Sequence, residues 1–190
     1  VWTSGIHKSP VTGPVAAGLT GLAGDGQADL VNHGGSDKAI NVYPSDHFAA
    51  WTSELGRPPS PGSFGENFTT AGATEADVCI GDVFRLGTAL VQISQPRQPC
   101  WKLARLWRIA DLAAQVERTG RTGWYVRVLE PGVIEAPTDF VLTDRPFPQW
   151  TVAEANAIKY HRKDDLAAAR ALAACPALSE AWRTSLSKRG

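Results

Sequence analysis

The hydrophobic pattern of this chain changes period at Thr151, and that change decides what it can fold into. Before it, apolar and β-branched residues come in short runs punctuated by Gly and Pro. After it, they recur at helical spacing. Short runs with frequent turns predict a small barrel or sandwich rather than βαβ repeats. The strand candidates are residues 13–18 (GPVAAG), 38–43 (KAINVY), 77–87 (DVCIGDVFRLG), 89–95 (ALVQISQ), 124–130 (WYVRVLE), 132–136 (GVIEA) and 139–145 (DFVLTDR).

Two helices interrupt the strands. Pro44-Ser45-Asp46 opens an amphipathic stretch through Phe48, Trp51 and Leu55 that Gly56 can close. The second runs from about Arg108 through Ile109, Leu112 and Val116 to Gly120, and a rigid proline loop occupies 58–62. Beyond Pro148 a capping box, Thr151 with Glu154, begins three helices over roughly 152–162, 165–175 and 179–188. Pro176 breaks the last two, and Leu178, Trp182 and Leu186 form an apolar stripe. The expected division is therefore 1–148 for the β-domain and 149–190 for a three-helix tail. Helices this short are marginal alone, so the tail must pack on the barrel or on another subunit, through Trp182 and Leu186.

A chain of 190 residues, 43% hydrophobic, can bury one sizeable core. No apolar run approaches the roughly 18 residues of a membrane-spanning helix. The start VWTSGIHK has no signal-peptide apolar region, so a soluble, cytoplasmic protein is expected. The three cysteines make no disulfide framework and lack the CxxC spacing of zinc or iron–sulfur sites. Net charge is zero but uneven. Residues 1–93 carry four Lys or Arg against nine Asp or Glu, and 94–190 carry fifteen against ten. From Arg97 to Arg108 there are four cations and no acid, which suits a bound anion but gives no long basic face for duplex nucleic acid.

Cys100 stands inside that basic stretch, in Ser-Gln-Pro-Arg-Gln-Pro-Cys. Pro99 suits the first position of a helix, which would put Cys100 in a first turn where free N–H groups favour a thiolate. Arg97 and Lys102 add positive charge. A nucleophile, a redox sensor or a metal ligand would each fit. Cys79, between Val78 and Ile80, and Cys175, in an alanine-rich helix, read as core residues.

Three further segments carry polar groups in chemically useful settings. His33-Gly34-Gly35-Ser36-Asp37-Lys38 combines glycines that allow close backbone approach with a lysine for a phosphate, without the order of a Walker loop. Phe64-Gly65-Glu66-Asn67 offers an acid and an amide beside a glycine. Arg127 lies in an apolar strand, where it pairs with an acid or holds an anion. No GxSxG or HExxH motif is present, so hydrolase chemistry has no positive support.

Taken together, GLAGDGQAD, HGGSDKA, the Tyr43-Pro44 pair, FGEN, GDVFRLG, SQPRQPCWKL, GWYVRV and the helical tail resemble the MOSC domain family, closest to its YiiM-like branch. The resemblance implies a mainly β fold, a closed MOSC-type β-barrel with a few short helices and the C-terminal helical tail. It implies a molybdenum–pterin cofactor (molybdopterin), with Cys100 at the position that ligates molybdenum. Lys38, Arg97 and Arg127 are then expected to hold the phosphate, with His33, Glu66, Asn67 and Ser94 as polar pocket groups. Glu66 or His33 would donate a proton.

The same resemblance implies an oxidoreductase that dehydroxylates N-hydroxylated compounds such as 6-hydroxylaminopurine, a detoxifying activity. With no iron–sulfur spacing and no dinucleotide fingerprint in the chain, an external flavoprotein or ferredoxin-type electron donor is expected. A homodimer is compatible with the sequence. The rival readings are sulfur transfer through a persulfide on Cys100 and a carrier module that stores the cofactor.

Overall fold

The computed structural model describes residues 4–26 and 34–189. In chain order its elements begin with strands β1 (Val15–Gly18), β2 (Gly21–Leu22) and β3 (Ile40–Pro44), helix α1 (Phe48–Leu55) and strand β4 (Phe68–Thr70). There follow β5 (Val83–Leu86), β6 (Ala89–Pro96), α2 (Trp101–Trp107) and α3 (Leu112–Thr119). Then come β7 (Trp124–Glu130), β8 (Gly132–Ile134) and β9 (Phe140–Asp144). The tail holds α4 (Val152–Asn156) with a π-helical turn over Ala157–His161, then α5 (Leu166–Ala173) and α6 (Glu180–Ser187).

A six-stranded sheet runs β4-β3-β7-β6-β5-β9, and a three-stranded sheet runs β2-β1-β8. All pairs are antiparallel except β3 with β4, whose crossover contains α1 and the proline loop. The fold is mainly β and barrel-like, as expected, with one seam that is not a ladder. β4 and β9 are the two edges of the large sheet, and Phe68 meets Phe140 across them edge to face, 5.9 Å between ring centres. Side chains, not backbone bonds, close that side.

Two expectations need correction. Within 77–87 only Val83–Leu86 is strand. The Asp82 carboxylate accepts from Cys79 N at 2.8 Å while Asp82 N donates to Cys79 O at 3.0 Å, bending residues 79–82 into a turn that Arg145 locks through the same carboxylate. The helix expected from about Arg108 to Gly120 starts later and follows a separate helix that ends at Trp107. Arg108 adopts a left-handed φ of 57° and ends α2, and α3 begins at Leu112. Strands β2 and β4 did not stand out in the sequence because each is only two or three residues long.

The tail packs on the barrel as one core. Val152, Ile158, Leu172, Leu178, Trp182 and Leu186 are buried in the same cluster as Ile40, Val42, Val91, Ile93 and Val126. Thr151 caps α4 by accepting from Glu154 N at 3.0 Å. A second, aromatic cluster holds α2 and α3: Tyr43 stacks on Phe64 at 4.1 Å, and Phe64 touches Trp51 and Trp107. No helix among the described residues is long and apolar enough to cross a membrane.

Candidate functional site

Strand alternation divides the middle of the large sheet into two faces. Val42 and Trp124, paired between β3 and β7, belong to the core. Their neighbours Asn41 and Tyr125, also a register pair, line a cavity on the other face. Tyr125 in turn lies opposite Gln95 on β6, and two residues further Arg97 enters the same cavity. Cys100, Lys102, Lys38, Asn67, Gln98, Lys8 and Asp25 complete the polar wall.

Cys100 is placed by the helix that follows it. It is the N-cap of α2, with extended backbone (φ −123°, ψ 165°), and its carbonyl accepts from Leu103 N at 3.0 Å. Its side chain does not cap, and the residue lines the cavity. Pro99 thus precedes the helix rather than starting it. The position of α2 is set by Trp107, whose Nε1 donates to Ser63 O at 2.8 Å, and by Arg57, which donates to Trp107 O at 2.7 Å and stacks 4.2 Å above its ring.

The polar wall is ordered by reciprocal bonds. Asn67 Oδ1 accepts from Asn41 N at 2.9 Å, Asn67 N donates to Asn41 O at 2.8 Å, and Asn67 Nδ2 donates to Asp25 Oδ2 at 2.8 Å. Lys8 pairs with the other oxygen of Asp25. Asn41 Nδ2 donates to Gly65 O at 3.2 Å. Tyr125 is held protonated: burial pushes its pKa up most, the Arg97 guanidinium opposes this, and the Cys100 sulfur reinforces it.

Of the residues expected at the site, Cys100, Lys38, Asn67 and Arg97 come together in this cavity. Glu66 does not line it. Its buried carboxylate accepts from Gly62 N at 2.7 Å, Phe64 N at 2.9 Å and Thr69 Oγ1 at 2.8 Å, so it organises the loop before β4 instead of meeting a ligand. Ser94, fully buried, points its hydroxyl at Asp37 O and Tyr125 O, 2.5 and 3.1 Å away. Arg127 is spent on Asp37 (Nη2 to Oδ1 2.8 Å) and on Gln92. His33 lies outside the described residues.

The sequence reading missed Asn41, Tyr125, Lys8, Asp25 and Gln98. A signal existed for two of them. Asn41 is the one polar residue in the apolar run Ile40–Pro44, and the alternation of β7 puts Tyr125 on its less buried face. Lys8, Asp25 and Gln98 reach the cavity through loops, where no period operates.

The residues present fit an anionic cofactor that brings a soft metal. Arg97 is 4% exposed, yet its Nη1 has no hydrogen-bond partner among the described residues. An orphaned guanidinium N–H in a cavity that also contains Lys8, Lys38 and Lys102 calls for an acceptor-rich ligand. Among the described residues no group of three or more His, Cys, Asp and Glu could hold a metal ion.

Residues 29–139 match the MOSC domain family, and residues 150–189 match the YiiM-like, 3-alpha helix domain. YflK of Bacillus subtilis is 48% identical over 186 residues, 98% of this chain and 84% of YflK. The crystal structure of YiiM from Geobacillus stearothermophilus superposes with a TM-score of 0.87 at 47% identity, covering 97% of this chain and 88% of that one. A protein of Gibberella moniliformis described as a reductase is 39% identical over 156 residues, 79% of this chain but 27% of its own length. The chain therefore belongs to the MOSC domain family, in its YiiM-like branch.

Proposed function

We propose that this protein is a molybdenum-cofactor-dependent reductase that removes the hydroxyl oxygen from N-hydroxylated compounds, 6-hydroxylaminopurine among them. The observation that carries the reading is the meeting of Cys100 with Lys8, Lys38, Arg97 and Lys102 in one cavity, a thiol beside an anion site. Membership of the MOSC family supports a role tied to the molybdenum cofactor, and the relative described as a reductase supports the reductive direction.

Bound there, the molybdenum–pterin cofactor would supply the two-electron chemistry, and a metal already carrying sulfur ligands suits one further thiolate. The chain supplies the rest. Cys100 Sγ is the metal ligand, and Lys38, with the charge of Arg97 in the same cavity, holds the phosphate. Asn67, fixed by Asn41 and Asp25, orients the ligand. Tyr125, which lines the cavity, keeps its hydroxyl proton. The overall reaction takes R–NH–OH, two electrons and two protons to R–NH2 and water. The electrons come from a separate flavoprotein or ferredoxin-type protein.

The test is molybdenum and pterin analysis of wild type and Cys100→Ala made in cofactor-competent cells, followed by reduction of 6-hydroxylaminopurine and an amidoxime with a chemical electron donor. Wild type should hold molybdenum and turn both over, and the variant should lose both properties. Loaded protein that reduces neither substrate would instead make the chain a cofactor carrier.

A further inference from the structure

Two of the most deeply buried polar side chains of the cavity each leave one atom unsatisfied, and the two atoms have opposite character. Asn41 is 6% exposed and Arg97 4% exposed. Asn41 Oδ1, an acceptor, and Arg97 Nη1, a donor, have no hydrogen-bond partner among the described residues. Proteins rarely tolerate such atoms unless a ligand or water meets them.

The Asn41 amide is not free to turn. Its Nδ2 donates to Gly65 O, a carbonyl that can only accept, so exchanging the amide atoms would set two acceptors against each other. The backbone N–H and C=O of Asn41 are both bonded to Asn67. Asn41, which lines the cavity, therefore holds Oδ1 as a fixed, buried acceptor. The backbone of Arg97 is anchored, its N–H donating to Gly123 O at 3.0 Å. Tyr125 lies opposite Asn41 on one side and, on the other, opposite Gln95, two residues before Arg97.

A fully ionised phosphate monoester would satisfy Arg97, but it offers only acceptors and leaves Asn41 Oδ1 unpaired. The ligand must carry a donor as well as an acceptor. We propose that Asn41 Oδ1 and Arg97 Nη1 together read the edge of a fused pyrimidine ring. Asn41 accepts from a ring or exocyclic N–H, Arg97 donates to a ring nitrogen or carbonyl oxygen, and Tyr125 lines the same cavity. Both a pterin and a purine present such an edge. The inference rests on the reductase reading only for the choice of these two rings.

The experiment uses protein made in cells unable to synthesise the cofactor, titrated calorimetrically with 6-hydroxymethylpterin, adenine and inorganic phosphate. Wild type is compared with Asn41→Leu and with Arg97→Lys, which keeps the charge but loses the guanidinium fork. Thermal melting confirms that each variant is folded. Pterin content is measured in parallel on the same proteins from cofactor-competent cells.

Wild type should bind at least one ring, and each variant should bind it at least about tenfold more weakly, a loss of about 1.4 kcal/mol. Phosphate binding to Asn41→Leu should be unchanged. If the ring is the cofactor's, pterin content falls several-fold in Asn41→Leu. If it is the substrate's, pterin content is unchanged and adenine binding is lost. Folded variants that bind both rings as wild type does, or a wild type that binds phosphate alone, overturn the proposal. Because the titration needs neither molybdenum nor Cys100, a failed metal analysis would strike the reductase reading and leave this result readable.

Discussion

The carboxylate of Asp37 accepts a hydrogen bond from the backbone N–H of Glu180 at 3.1 Å, tying the segment ahead of β3 to the first residue of α6. Its other oxygen takes Arg127 Nε at 3.0 Å and Nη2 at 2.8 Å. Ser179 N donates to Ser94 O at 2.9 Å beside it. The helical tail is thus stitched to the segment that carries Lys38. The bonds to Asp37 occupy Arg127, and the Ser94 hydroxyl is taken by Asp37 O and Tyr125 O, so neither residue lines the cavity.

Asp37→Asn keeps the shape and removes the charge that Arg127 and the start of α6 share. The pair is partly exposed, so solvent screening discounts its worth. A stability loss of roughly 1 kcal/mol is expected in urea unfolding. Cofactor retention should fall as well, because Lys38 is the next residue. Unchanged stability together with unchanged pterin content would mean that the tail does not brace the site.

Much of the fold was legible because period is a local property. The alternation in residues 89–95 and 124–130 identifies β6 and β7, and the Thr151 cap with the Trp182 and Leu186 stripe identifies the tail. Cys100 was legible through its charged neighbours. What a sequence does not carry is the direction of a polar side chain once several partners compete for it. Glu66 and Arg127 looked equally suited to a ligand, but Glu66 is claimed by the N–H groups of Gly62 and Phe64, and Arg127 by Asp37, distant in the chain. The strand candidate 38–43 gives Asn41 no role of its own, and only its pairing with Tyr125 puts both on the cavity face.

The three cysteines should separate by reactivity. Cys79 and Cys175 are 2% and 3% exposed, and burial pushes the Cys79 thiol up. Cys100 is only half-buried, in the cavity wall. An aromatic disulfide reagent should modify Cys100 in the native protein and reach the other two only after denaturant is added. Cys100→Ala should abolish the native phase. Rapid labelling of Cys79 in folded protein would contradict the burial.

Gly123 joins the core to the site. Its φ is 66°, and a Cβ there would lie 2.3 Å from Val42 O and 3.0 Å from Tyr43 Cδ2. Its N–H donates to Glu75 Oε1 at 2.6 Å and its C=O accepts from Arg97 N. Gly123→Ala must displace β3 or β7, with an expected cost of about 2–3 kcal/mol. Arg97 hangs from the same peptide, so anion affinity should drop along with the melting temperature. A loss of stability with fully retained phosphate binding would show that Arg97 is positioned by other contacts.

All three tyrosines, Tyr43, Tyr125 and Tyr160, are pushed above the ordinary phenol value of 10.0, in each case mainly by burial. Tyr43 is the most deeply enclosed, its OH donating to Arg121 O at 3.1 Å while accepting from Trp51 Nε1 at 2.6 Å. Above pH 10 the unfolded chain would release phenolic protons that the folded chain keeps. The unfolded state then binds fewer protons, and stability must fall as pH rises through that range, with no effect near neutrality. An alkaline titration followed by near-ultraviolet absorbance should therefore show almost no phenolate near pH 10 while circular dichroism is still native. Phenolate should appear at higher pH, together with the loss of structure. Half-titration of any tyrosine near pH 10 in intact protein would show that its ring is not enclosed as described, and if that tyrosine were Tyr125 the floor of the candidate site would be open to solvent.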